Sequence, residues 1–234
     1  MPVAIITGAS KGLGRALAHA LAGRGWDLVL DARTAKALQE GADAVRAEHG
    51  TRVVALPGDV TDAAHRRELV AAARELGGLD LLVNNAGILG VEPLVPLAGH
   101  PLDRFRAALE ANLVAPLGLI QEALPLLRAA PSGAVVDISS DAAVEAYRTW
   151  GAYGATKAGL DLLSAVLAVE EPELRVWWVD PGSMRTDMLA AAEPDEAPGA
   201  PRPEEVAPAF LRLLDERPAS GRYAAPALLG VVVE

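Results

Sequence analysis

The chain of 234 residues contains no cysteine. That absence removes disulfides, thiolate zinc sites and cysteine nucleophiles, and it agrees with a reducing compartment. Lysine is nearly absent as well, with only Lys11, Lys36 and Lys157 among 21 basic residues. The arginine bias and the 17 prolines fit either a heat-stable, loop-rigidified protein or a biased genome. Positive charge is in deficit, at a net −10 and a pI near 4.9, with no basic stripe. A nucleic-acid partner is therefore not expected. Apolar stretches are interrupted before the roughly eighteen residues of a membrane span. No basic leader with a cleavage site precedes Val3-Ala4-Ile5-Ile6, so the expectation is a soluble cytoplasmic protein without a membrane partner. Ser164 and Ser183 sit in no GxSxG elbow, which speaks against a hydrolase. His19, His49, His65 and His100 lack metal-ligand spacing and read as surface or helix positions, so no metal is expected.

What is present is an alternation. Apolar runs at Val3 to Thr7, Leu28 to Asp31, Val53 to Leu56, Leu79 to Asn84, Ala134 to Ser139 and Leu174 to Asp180 read as strands. Helical patterns lie between them near 13–24, 34–49, 62–76, 102–130 and 152–170. Continuous rather than alternating apolar runs indicate strands covered on both faces. The expected fold class is α/β, a doubly wound, Rossmann-type parallel sheet with helices on both faces and ligands outside the carboxyl ends of the strands. One domain over 1–234 is enough, since a chain this long buries roughly 70–75% of its unfolded surface. Thr61-Asp62 caps one helix start and Gly77-Gly78 its end. Residues 190–203, rich in Pro, Ala and Glu, read as irregular loop, either a substrate lid or plain solvent loop.

Two short motifs carry the chemistry. Thr7-Gly8-Ala9-Ser10-Lys11-Gly12-Leu13-Gly14 follows the first strand and opens a helix, so its backbone can approach a pyrophosphate at a positive helix end. Its glycine spacing differs from GxGxxG. Tyr153-Gly154-Ala155-Thr156-Lys157 places an ammonium one helical turn after a phenol, on the same face, where it favours the phenolate. Reduction of a carbonyl leaves an alkoxide that needs a proton from such a donor. Ser140 ends the fifth strand thirteen positions before Tyr153 and can hold the substrate oxygen, with Ser139 as the alternative if the strand ends earlier.

TGxxxGxG, Asp59-Val60, Asn84-Asn85-Ala86-Gly87, Ser140, Tyr153-xxx-Lys157 and Pro181-Gly182 occur in order, and together they resemble the short-chain dehydrogenase/reductase family in its non-extended branch. The resemblance runs over residues 3–188. It implies a catalytic set of Asn112, Ser140, Tyr153 and Lys157. It also implies that Asp59 contacts the adenine amino group, that Asn85, Ala86 and Gly87 line the adenosine side, and that Thr186 faces the nicotinamide carboxamide. Gly8, Ser10, Lys11, Gly12, Leu13, Gly14, Arg33, Val60 and Met184 complete the expected cofactor contacts, with Tyr153 and Lys157 shared.

The nucleotide is selected at the end of the second strand, Leu28-Val29-Leu30-Asp31-Ala32-Arg33. On the family pattern the NAD-selecting acid would stand at Ala32, while Arg33 and Lys11 are cations suited to a 2′-phosphate. NADP(H) is expected, with NAD(H) the runner-up should Asp31 prove to be the selecting acid. Asn112 lies four residues before Pro116, whose missing N–H leaves the carbonyl of residue 112 without its helical partner. That carbonyl could hold a water leading to Lys157, or the kink could serve packing alone.

Trp150, Tyr147, Leu89, Met184 and Met188 are candidates for an apolar substrate wall or for core. Only Arg148 and Arg185 could clamp an anion, so a small or moderately apolar ketone, aldehyde or secondary alcohol is the expected substrate. The competing reading is a nucleotide-binding redox sensor or scaffold without turnover, and a dinucleotide-dependent epimerase would need a larger substrate domain. The C-terminal Leu228 to Glu234 departs from the family's longer ending, which bears on tetramer contacts. The helices at 102–130 and 152–170 could pair to give a homodimer or homotetramer.

Overall fold

The computed structural model describes residues 1–230. Seven parallel strands form one sheet in the order β3-β2-β1-β4-β5-β6-β7. They are β1 (Val3–Ile6), β2 (Asp27–Ala32), β3 (Val53–Pro57), β4 (Leu81–Asn84), β5 (Ala134–Ile138), β6 (Arg175–Asp180) and β7 (Gly221–Ala224). Strand order reverses between β1 and β4, which opens a crevice at their carboxyl ends.

Both faces of the sheet are covered. On one face Leu28 and Leu30 pack with Leu17 and Leu21 of α1 (Gly12–Ala22), Leu38 of α2 (Ala35–His49) and Phe210 and Leu213 of a later helix, Pro203–Glu216. On the other, Val29 packs with Leu69 of α3 (Ala63–Leu76) and with Leu119 and Ile120. Consecutive residues of β2 thus enter opposite cores, which is why the run is apolar throughout. Asp62 caps α3 by accepting from Ala64 N at 2.8 Å, and Gly77 ends it at φ +118°.

Four expectations need correction. The helix expected over 102–130 is interrupted: α4 (Leu102–Leu109) passes through a π-helical turn at Glu110–Val114 into α5 (Ala115–Ala129). Ala115 N reaches back five residues to Glu110 O. Residues 190–203 are not wholly irregular, because α7 (Asp187–Ala192) runs into them and Ala197 and Ala200 are buried. The helix Pro203–Glu216 (α8), the short β7 and α9 (Ala225–Leu228) were not expected at all. Finally α6 (Gly151–Glu170) is long and apolar enough to span a membrane by composition, at a mean hydropathy of 1.2. Its buried Lys157 and Asp161, and its packing on β5 to β7, make it a core helix. Part of the Leu228 to Glu234 ending, residues 231–234, lies outside the described residues.

Candidate active site

The loop after β1 is locked to β4 by side chains. Thr7 Oγ1 accepts from Asn85 N and Ala86 N, each at 3.0 Å, and Asn85 Nδ2 donates to Thr7 O at 2.8 Å and Gly8 O at 3.2 Å. A Cβ on Gly14 would lie 2.5 Å from Gly8 O and 2.6 Å from Asn85 Nδ2, so only glycine lets α1 start this close to the loop. Gly8, at φ +66°, sits against Ala86 in a backbone conformation that disfavours a side chain. This cradle fits a dinucleotide pyrophosphate at the amino end of α1. Gly14→Ala is expected to weaken NADPH binding at least tenfold and to lower stability by about 1–3 kcal/mol, as overpacking does. Fluorescence titration and thermal melting check both effects.

One cavity of about 1080 Å³ lies above the loop and the strand ends. Gly8, Ser10, Lys11, Gly12, Leu13, Arg33, Asp59, Val60, Asn85, Ala86, Gly87, Ser140, Tyr153, Lys157, Met184 and Thr186 all line it. Gly14 and Asn112 do not, and both act from behind the wall. Asn112 is fully buried. Its Oδ1 accepts from Ile88 N, and its Nδ2 donates to Ile88 O and Thr156 Oγ1, each at 2.9 Å. The side chain is thereby used up in joining the segment after β4 to α6. In α-helical spacing the N–H missing from Pro116 would deprive the carbonyl of Asn112. In the π-helical spacing just before it the same gap faces Ala111, so the break surrounds Asn112 rather than marking one carbonyl.

Asp31 does not stand free at the carboxyl end of β2. It is buried, its Oδ1 is 2.7 Å from His65 Nε2, and its Oδ2 accepts from Gly8 N at 3.4 Å. Burial pushes its carboxyl up, while His65 and Gly8 pull the other way. His65, expected at an ordinary surface or helix position, is buried too, and Gly58 makes room for its ring. Arg33 is exposed at the mouth. Lys11 is also exposed and pairs with Asp187 of α7 at 2.6 Å. Burial raises Asp59, but bonds from Thr61 N at 2.9 Å and Thr61 Oγ1 at 2.8 Å, together with Arg33, leave it below the usual carboxylate range. Thr186 caps α7 by accepting from Leu189 N, and its methyl would meet a side chain placed on Gly12 at 3.4 Å.

At the other end of the cavity, Tyr153 is packed edge-on against Trp150 with ring centroids 5.6 Å apart. Lys157 Nζ sits 5.7 Å from the Tyr153 ring centre and donates to Ile138 O at 2.7 Å. Burial brings the Lys157 ammonium down to about 8 against the pull of Asp137 and Asp161. Burial, with Asp180 and Asp141 nearby, raises the Tyr153 phenol. Both Ser139 and Ser140 border the cavity, but their side chains are engaged differently. Ser139 is buried and donates to Asp161 Oδ1. Ser140 lines the cavity, with Oγ donating to Asp141 Oδ1 at 2.9 Å.

Three residues here escaped the sequence reading. Arg222, on β7, donates through Nη2 to Ser140 O at 2.9 Å and through Nε to Asp161 Oδ2 at 3.1 Å. Asp161 lies one helical turn after Lys157, a spacing that could have drawn attention to it. Asp137 is fully buried, holds Asn84 Nδ2 and Ser164 Oγ at 2.7 Å each, and lends its charge to Lys157. Of the expected substrate wall, Tyr147, Trp150, Met184 and Met188 face the cavity. Leu89 is instead buried beside Ala142 and Tyr153, and Arg148 is not among the lining residues.

Comparison with known proteins agrees with this geometry. A sequence model of the family described as short chain dehydrogenase matches residues 2–197. Sepiapterin reductase of Meriones unguiculatus is 39% identical over 201 residues, covering 81% of this chain and 77% of the reductase. Glycine betaine reductase ATRR of Emericella nidulans is 35% identical over 198 residues, which make up 83% of this chain but 15% of that longer protein. A short chain dehydrogenase from Escherichia coli CFT073, solved in complex with NADPH, superposes with a TM-score of 0.90 at 29% identity over 96% of each chain. A match over so much of the chain, on a sheet wound in this order around this crevice, leaves one assignment: the chain belongs to the short-chain dehydrogenase/reductase family of oxidoreductases.

Proposed function

We propose that the protein is an NADP(H)-dependent reductase of small neutral ketones or aldehydes, running in reverse as a dehydrogenase of secondary alcohols, with Tyr153 as general acid and base. The observation that carries this reading is that Ser140, Tyr153 and Lys157 line the same cavity as the glycine cradle. The nicotinamide cofactor, when bound, supplies or accepts the hydride. The Ser140 hydroxyl holds the carbonyl oxygen, and Tyr153 hands its phenolic proton to that oxygen as charge develops on it. The Lys157 ammonium, fixed by Ile138 O, lowers the cost of the phenolate left behind. The Tyr153 phenolate then takes back a proton from the Lys157 ammonium, which regains one from solvent; a backbone carbonyl at the Glu110–Val114 turn, where the helical hydrogen-bond pattern breaks, would hold the water on that path.

Several features support NADP(H) over NAD(H). Ala32 offers no carboxylate to a ribose hydroxyl, Asp31 is already engaged by His65 and Gly8, and Arg33 stands exposed at the mouth. Solved relatives carry NADP or NADPH. Arg33→Ala is expected to raise KM for NADPH roughly 10–100-fold, the worth of a hydrogen bond to a charged group of about 1.5–3 kcal/mol. KM for NADH should stay within about twofold, and an unchanged ratio of the two would overturn the assignment of Arg33. The Arg185 guanidinium is accompanied at the substrate end by Asp141, Glu193 and Glu196, a balance that suits a neutral carbonyl rather than a carboxylate or phosphate. Following NADPH oxidation across a panel of aliphatic, aromatic and α-hydroxy ketones and aldehydes tests the reading. No turnover on any member would overturn it.

A further inference from the structure

Outside the cavity, the fold brings together three side chains that the sequence keeps apart. His19 lies in the last turn of α1, and Glu48 and His49 in the last turn of α2, which ends at Gly50 with φ +68°. His19 Nδ1 is 3.2 Å from Glu48 Oε2, and His49 Nε2 is 3.7 Å from Glu48 Oε1. One ligand atom from each of the three lies within 4.8 Å of the others. We propose that His19, Glu48 and His49 form a binding site for a divalent transition-metal ion such as Zn²⁺, which ties the carboxyl ends of α1 and α2 together.

The strongest independent sign is His49 Nε2. It is buried and has no hydrogen-bond partner among the described residues, since the nearest Glu48 oxygen is beyond bonding range. A simple His-Glu-His hydrogen-bonded cluster would leave that nitrogen unsatisfied, whereas a metal ion would take its lone pair. The ring is placed by packing: a Cβ on Gly23, just past the end of α1, would come within 3.5 Å of His49 Cε1. The two imidazoles meet edge to face with centroids 5.8 Å apart.

Tetrahedral coordination at about 2.0–2.2 Å asks for ligand atoms roughly 3.4 Å apart. Two of the contacts, both to Glu48, are already near that spacing; the third, between the two imidazoles, lies within 4.8 Å and closes by a shift of about 1 Å through rotation of the partly exposed His19 ring. Water on the open side supplies the fourth ligand. Two imidazoles and a carboxylate select zinc, cobalt or nickel over calcium or magnesium, which prefer all-oxygen shells. The field favours a cation as well. Two helix carboxyl ends, each carrying about half a negative charge, meet the Glu48 carboxylate in a protein of net charge −10. His19 lies seven positions after Gly12 in α1, about 10 Å along the helix axis. None of the three ligands lines the cavity, so the ion would brace the helices rather than join the chemistry.

The test uses the full chain without a purification tag, stripped with EDTA and titrated with Zn²⁺ by calorimetry and with Co²⁺ by visible absorption. The expected result is one Zn²⁺ per chain, the intense d–d bands of tetrahedral Co²⁺, and a melting temperature several degrees higher with metal at about 100-fold over its Kd. His19→Gln and His49→Gln should each weaken binding at least tenfold and together abolish both the bands and the melting shift. NADPH-dependent turnover of the metal-free variants should match that of the metal-free parent. If either substitution prevents folding, Glu48→Gln at the exposed position carries the same expectation of weakened binding. Absence of binding at 100-fold molar excess would overturn the proposal, and so would the same stoichiometry and affinity in the double variant.

Discussion

Tyr153→Phe is expected to lower kcat/KM for NADPH-dependent carbonyl reduction by about 10²–10⁴-fold, the contribution of a positioned proton donor. The change removes one oxygen and leaves the ring, so the edge-on contact with Trp150 and the packing on Ala142 survive. Stability and NADPH affinity should therefore stay close to those of the parent, which separates a chemical loss from a folding loss. A solvent isotope effect on the residual rate should shrink as proton transfer passes to water. Loss of less than tenfold with an unchanged isotope effect would show that the proton comes from elsewhere.

Lys157→Met is expected to cost nearly as much activity, because the phenolate would then form in a buried site with Asp180 and Asp141 close by and no cation below it. Its effect on stability is of a different kind. Burial holds the folded-state Lys157 near 8, below its ordinary 10.5. Between those values the unfolded chain binds more protons than the folded one, so stability rises as pH climbs from about 8 to 10.5. Below 8 the buried ammonium weighs against folding in full, by about 3 kcal/mol. The methionine variant removes that burden but leaves Ile138 O without its donor, a loss of about 1–3 kcal/mol. At pH 7 the two nearly offset. The slope distinguishes them: urea midpoints of the parent should rise between pH 8 and 10 relative to those of the variant. Parallel curves would mean that Lys157 is not desolvated as its surroundings require.

Legibility in the sequence followed the range of the interaction. Strands β1 to β6 could be read because each is apolar on both faces, a property of consecutive residues. The edge strand β7, Gly221–Ala224, is half-buried, short and mixed in character, so it carries no such mark. Arg222 was missed with it. Helix α8 hides behind Pro203 and Pro208, although the first stands where a proline favours a helix start. In the site, the spacing of Ser140, Tyr153 and Lys157 is local enough to read, and all three line the cavity. The pairings of Asp31 with His65, Asn84 with Asp137 and Asp161 with Arg222 span 34, 53 and 61 residues. They depend on strand order, which no local pattern displays. The same holds for His19 and His49, whose separation in the chain says nothing of the shared edge where α1 and α2 end.

The ion pair between Lys11 and Asp187 crosses the cavity mouth with both side chains more than two-thirds exposed. Exposed pairs of this sort contribute about 0.2–1 kcal/mol, and salt screens them further. Thermal energy at room temperature is of the same size. The contact must then break and re-form continually, while α7 itself stays held by the packing of Met188, Ala191 and Ala192 on Leu89, Ala142 and Tyr153. Lys11 can turn from Asp187 to an arriving anion at almost no energetic loss.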